Sequence, residues 1–148
     1  MMNLFLALAV ILLRASLAHT TAVFAHFMVS NTHSYTTADW NNDIQLAQAA
    51  HIDAFALNLT YNEGDDQSVA AVFNAASALG FKLFFSFDYA GNRPWPKQVV
   101  IDLINQYSSS SAYHRYQGRP FVSTFEGPER ATDWIDTKGQ TQCFFGPD

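Results

Sequence analysis

A parallel α/β fold of the barrel type, cut off at about half its circuit, is what this sequence predicts. Three observations predict it. Short aromatic and β-branched runs recur near residues 22, 53, 81, 119 and 142, each reading as a buried strand. Stretches with helical periodicity separate them, and strand–helix alternation gives a parallel sheet. The last run has no helix behind it, and Pro147-Asp148 reads as the start of a loop. The alternation fits either a small five-stranded doubly wound domain or strands 1–4 and the start of strand 5 of a (β/α)8 barrel. A barrel typically takes about 250 residues, against 148 here. The missing final helix favours the interrupted barrel.

Residues 4–13 form an apolar run too short to span a membrane, and Ala15-Ser16-Leu17-Ala18 supplies small residues for cleavage. Residues 1–18 are therefore read as a secretory signal peptide, although Arg14 sits on the unusual side of the run. Residues 22–28 form the first strand. Thr37-Ala38-Asp39 caps a helix to about residue 50, with Asp39 and Asp43 favourably placed in its first turn. Residues 53–59 are the second strand. An alanine-rich helix follows over 66–79, with Gly80 as its C-terminal cap. Residues 81–87 form the third strand, and Pro96 starts a helix to residue 107 that buries Val99, Val100, Leu103 and Ile104. The fourth strand covers 119–125, a short helix 129–137, and a fifth strand opens over 142–145.

The third and fourth runs end alike. Leu83-Phe84-Phe85-Ser86-Phe87 leads into Asp88, and Phe121-Val122-Ser123-Thr124-Phe125 into Glu126, each followed by turn residues. A carboxylate at the C-terminal end of a buried strand is costly unless it faces a polar cleft. Ligands of parallel α/β sheets bind at that end. Two acids in one such cleft are the usual equipment for handling sugars.

Composition narrows the classes further. A net charge of −5 without a basic stripe argues against nucleic acid. Aromatic residues at 15% exceed charged ones at 14%, a balance that suits either a sugar cleft or a large core. Beyond the leader no stretch is apolar enough to cross a bilayer. The five histidines lack metal-ligand spacing, so no metal is expected. No phosphate loop or nucleophile elbow occurs, and no cofactor is implied. Cys143 stands alone, either a buried thiol or half of a missing pair.

Several long, ordered segments carry a family likeness. They are Ala22-Val-Phe-Ala-His-Phe-Met-Val-Ser-Asn31, Tyr35-Thr-Thr-Ala-Asp-Trp40, Ala47-Gln-Ala-Ala-His-Ile-Asp-Ala-Phe-Ala-Leu-Asn58, Gly80-Phe-Lys-Leu-Phe-Phe-Ser-Phe-Asp-Tyr-Ala-Gly91, Pro94-Trp95-Pro96 and Pro120-Phe-Val-Ser-Thr-Phe-Glu-Gly127. Together they resemble the fungal α-1,3-glucanases (mutanases) of glycoside hydrolase family 71. The resemblance covers nearly everything from Ala22 to Asp148. It implies a secreted, barrel-shaped endo-hydrolase that acts on α-1,3-glucan of the fungal wall with inversion. Residues 19–148 would then be the N-terminal half of a (β/α)8 catalytic domain.

The family's later half carries a Trp-Asn-Asp-Tyr-Gly-Glu segment whose acids are the expected catalytic pair. That segment does not occur in these 148 residues. The chain by itself is therefore expected to be inactive, with Asp88 and Glu126 binding sugar hydroxyls and standing as second choice for the acid and base. An inverting pair needs its carboxyl groups about 6.5–9.5 Å apart, and neighbouring strand ends do not exclude that. The alternatives are a non-catalytic carbohydrate-binding remnant and a non-functional gene fragment.

Beside the two acids, four residues are expected to contact sugar. Asn58 ends the second strand, and its sequon Asn58-Leu59-Thr60 is a weaker reading. His26 lies within the first strand, where a core histidine is the commoner case. Tyr89 and Trp95, like Tyr35, fall in strand-to-helix loops where rings stack on glucose. Trp40 and Trp134 fall on helices and read as packing.

Overall fold

Each apolar run becomes a strand, and each periodic stretch between them a helix. The computed structural model describes residues 21–146, so the expected leader and its cleavage site lie outside the described residues. β1 (Phe24–Met28) passes through a 3-10 turn (Val29–Thr32) to α1 (Thr37–Ala49). β2 (Ala54–Thr60), α2 (Asp66–Leu79), β3 (Lys82–Asp88) and α3 (Lys97–Tyr107) follow. β4 (Arg115–Tyr116) and β5 (Arg119–Phe125) form a hairpin. A second 3-10 turn (Pro128–Arg130), α4 (Asp133–Thr141) and β6 (Phe144–Phe145) complete the order.

Local chemistry sets the boundaries. The cap of α1 is Thr36, one residue before the expected stretch: its backbone N–H donates to Asp39 Oδ2 at 2.8 Å and its hydroxyl accepts from the Asp39 N–H. This reciprocal box satisfies two otherwise orphan donors. Gly80 ends α2 in the left-handed region (φ 68°). α4 runs later than the expected 129–137, because Pro128 is taken into a separate 3-10 turn and the helix stops only where Gln142 turns left-handed (φ 56°). The expected strand list lacks β4. Its signal is the pair Gln117-Gly118, both at positive φ (52° and 75°), as a two-residue hairpin turn of the primed type requires.

The strand order is β1-β2-β3-β5, with β6 parallel on the far side of β5 and β4 antiparallel to its start. β1, β2, β3 and β5 pair in parallel in chain order without reversal. That order is not the doubly wound one. It sets the helices against one face of the sheet, where Leu57, Leu83, Phe85 and Phe87 are wholly buried among helix residues such as Ile44 and Ile104. Each such side chain contributes about 1.5–3 kcal/mol by leaving water. Trp40 and Trp134 pack in this layer as expected, and Cys143 is a buried free thiol within it.

The other face is concave. β1 and β5 stand three strand spacings apart, about 14 Å in a flat sheet. The rings of Phe24 and Phe121 nevertheless lie 6.0 Å apart, and those of His26 and Phe125 6.3 Å. The sheet must curl for these side chains to meet. Phe84 and His114 fill the hollow beneath them, with edge-on contacts to Phe121 at 4.8 and 5.8 Å.

Half-burial among these rings pushes the His114 imidazole below its ordinary value of 6.5. The folded state thus resists protonation, so stability is full above pH 6.5 and falls as acid protonates the unfolded state first. In urea titrations between pH 7.5 and 5.5, the stability gap between the wild type and His114→Gln is expected to narrow on acidification. A gap independent of pH would show that His114 does not titrate against the fold.

Candidate functional site

Register and side-chain alternation decide what reaches the C-terminal end of the hollow. Met28, Asn58, Ser86 and Ser123 stand opposite one another across four strands. One step higher, Thr60, Asp88 and Phe125 form the next row, and Glu126 follows directly. His26 belongs to the row below, opposite Ala56 and Phe84, and reaches Phe125 across the curve. His26, Asn58 and Asp88 therefore share the concave face, and Glu126 follows Phe125 just past the end of β5. The hollow has a polar floor (Asn58, Ser86 and Ser123, all buried) with Asp88 one row above it.

The two acids are held differently. Asp88 is half-buried, and its Oδ1 accepts from the N–H groups of Ala90 (2.8 Å) and Gly91 (3.1 Å). This is the turn-capping arrangement typical of Asp, so one carboxylate oxygen is occupied by the backbone. Glu126 is exposed and sits at φ 59°, a conformation costing roughly 1–2 kcal/mol for a residue with a Cβ. Gly127 continues the left-handed turn (φ 88°). A Cβ there would come within 2.6 Å of Tyr89, so only glycine lets the chain pass under that ring. A cavity of about 500 Å³ opens beside Glu126, walled by Phe125, Trp134 and Phe145.

The expected stacking aromatics are not in the cleft. Tyr89 and Trp95 are 7% and 6% exposed. Trp95 donates its indole N–H to the Leu59 carbonyl (3.0 Å) and packs edge-on against Phe87 and Tyr61. A large ring that can satisfy its one polar atom inside gains more by burial than by lying open. Tyr89 is covered near α4, where burial, reinforced by Asp133, pushes its phenol up to about 12. Tyr35 packs on Trp40 and donates its hydroxyl to Asp43 at 3.0 Å. Asn58 is 4% exposed, so the folded chain does not present its sequon for glycosylation.

Two features of the site escape a motif search. Phe125 is exposed at the mouth beside His26 and Glu126. Its signal is parity, since it alternates with Ser123 and Phe121 on the concave side. The second is the set of ties holding the mouth loops. His33 Nε2 meets Asp65 Oδ1 at 2.8 Å, Asn92 donates to Glu63, and the Arg93 guanidinium lies over the Tyr61 ring. Burial raises the Asp65 carboxyl above the usual carboxylate range, against the opposing pull of His33. Among the described residues, no three His, Cys, Asp or Glu stand together so as to hold a metal ion, and no helix is long and apolar enough to cross a membrane.

The parallel strands β1, β2, β3 and β5 thus enclose a concave, aromatic-lined hollow on the side of the sheet away from the helices. Residues 19–148 match the profile of glycosyl hydrolase family 71, and the chain belongs to that family. It is 37% identical over 120 residues to a mutanase of Penicillium rubens, covering 80% of this chain and 26% of that protein. It is 34% identical over 128 residues to a glucan endo-1,3-alpha-glucosidase of Schizosaccharomyces pombe, covering 82% and 30%. An ascus wall endo-1,3-alpha-glucanase of the same yeast is 29% identical over 110 residues, covering 73% and 25%. The chain thus spans less than a third of each of these relatives. Among solved structures, the fold is similar to a GH99 endo-alpha-mannosidase from Bacteroides thetaiotaomicron. The TM-score is 0.60 at 16% identity, with 76% of this chain and 37% of that chain covered.

The contrast between the acids predicts their behaviour on substitution. Asp88→Ala is expected to lose about 2 kcal/mol, because two turn N–H groups lose a charged acceptor. Glu126→Gly is expected to gain roughly 1 kcal/mol by releasing the left-handed backbone. Chemical denaturation measures both. A destabilised Glu126→Gly would mean that the Glu126 side chain supports the fold rather than standing free for a ligand.

Proposed function

We propose that the chain is the N-terminal half of a (β/α)8 glycoside hydrolase domain, and that its concave face binds α-1,3-glucan. The observation that carries this reading is the strand-end pair Asp88 and Glu126 above the polar floor of Asn58, Ser86 and Ser123, in a chain of this family. Carboxylates and amides there would accept and donate to glucose hydroxyls, while His26 and Phe125 offer ring faces to the sugar.

The domain would be secreted after removal of residues 1–18, and it would cleave with inversion when complete. Inversion needs an acid and a base on opposite sides of the scissile bond. Asp88 already spends one oxygen on the turn, which suits a binding role better than proton transfer. The segment that the family resemblance credits with the catalytic pair is absent from these 148 residues. By themselves, then, they would hold the polymer without cutting it, since losing either partner costs orders of magnitude.

Co-sedimentation with insoluble α-1,3-glucan, beside reducing-sugar release, tests the reading. Binding is expected, weakened about tenfold by Glu126→Gln or His26→Ala, and without turnover. Robust turnover lost in Asp88→Asn and in Glu126→Gln would make those two the catalytic pair. A soluble, folded chain that fails to bind the glucan would refute the cleft assignment.

A further inference from the structure

A second cavity lies on the helix side of the sheet, apart from the hollow. It is a groove of about 370 Å³ between α2 and α3 that reaches the loop after β2. Small-ligand pockets run from about 300 to 1,000 Å³. β2, the strand it adjoins, lies between β1 and β3 rather than at an edge of the sheet. Val69, Val99 and Leu103 give the groove an apolar wall. Glu63, Asp65, Asp66 and Asp102 line it too, and among the described residues no Lys, Arg or His does.

Asp65 marks the groove as more than an acidic surface. Its side chain is 9% exposed and its Oδ1 is bonded to His33, but among the described residues its buried Oδ2 has no hydrogen-bond partner. A buried carboxylate left half satisfied is costly. Glu63 and Asp66 add their repulsion to that cost, and His33 opposes them from outside the groove. A cleft lined by one sign of charge concentrates counter-ions. A neutral sugar could bond the rim but would leave this charge unbalanced. The acids are strung out rather than gathered, since among the described residues no three His, Cys, Asp or Glu stand together so as to hold a metal ion. One wall already receives an organic cation. The Arg93 guanidinium lies 4.9 Å from the centroid of the Tyr61 ring, and among the described residues it forms no ion pair.

We propose that this groove binds an organic cation, an ammonium or guanidinium group carried on an apolar stem. The stem lies along Val69, Val99 and Leu103. The charged head stands among Glu63, Asp66 and Asp102, in the field of the uncompensated Asp65. Burial of the stem supplies affinity, and the charge selects for a cation. The site is separate from the sugar hollow and does not depend on the glucan reading.

NMR titrations of the folded 148-residue chain with hexylammonium and with hexanol test this. The expected result is saturable shift changes at Val69, Val99 and Leu103, with a hexylammonium dissociation constant on the order of 1 mM that rises with salt. Hexanol, with the same stem and no charge, should bind at least tenfold more weakly. The double variant Glu63→Gln, Asp102→Asn keeps acceptors for the hydrogen bonds from Asn92 and Gln98. It should bind hexylammonium at least tenfold more weakly with its circular dichroism spectrum unchanged. A parallel titration with Nα-acetyl-lysine methylamide separates the two sources of such a cation. Shifts at the same residues support the site as one for a peptide's lysine, and shifts with hexylammonium alone support it as one for a free amine. A groove silent to both amines would overturn the proposal. So would hexanol binding as tightly as hexylammonium, or a folded double variant that binds as the wild type does.

Discussion

Contact between β1 and β5 across the hollow is the constraint on which the rest depends. Phe24 meets Phe121, and His26 meets Phe125, although two strands lie between them. A flat sheet could not bring them together, so these contacts measure the curl directly. The curl makes one face concave and keeps the helices on the other. It also tips the ends of β2, β3 and β5 toward a common mouth. Without it, His26, Asn58 and Asp88 would be separate points on a plane rather than parts of one hollow.

Loop chemistry then fixes the mouth. Trp95 ties the loop after β3 to the end of β2 through the Leu59 carbonyl, and His33–Asp65 ties the loop after β1 to the start of α2. Asp88 caps its own turn. These ties occupy Trp95 and one oxygen of Asp88, both of which the sequence reading assigns to ligand. The groups left free are the exposed His26, Phe125 and Glu126 and the polar floor beneath them. Glu126 combines exposure with a left-handed backbone, a conformation that His51, Asn62, Gln117 and Gln142 share at turns elsewhere in the chain.

Much of this was legible in the sequence, for local reasons. Apolar runs punctuated by Gly and Pro mark the strands, since strand burial and turn chemistry are both short-range. The paired strand-end acids follow from the same pattern. The fate of Trp95 was not legible, because an aromatic ring in a loop reads as open until its N–H finds a carbonyl 36 residues away. Nor was the curl, which arises from rings about 100 residues apart in sequence. The β4–β5 hairpin had a local signal, the Gln117-Gly118 turn, but its first strand is only two residues long.

The central claim is that the concave face of the curled sheet, not the helix side, receives the sugar. An NMR titration of the folded chain with a soluble α-1,3-linked gluco-oligosaccharide tests it most directly. The account predicts shift changes gathered on His26, Ser86, Phe125 and Glu126, with the α2–α3 groove around Glu63 and Asp102 silent. Changes confined to that groove, or spread evenly over the surface, would contradict it.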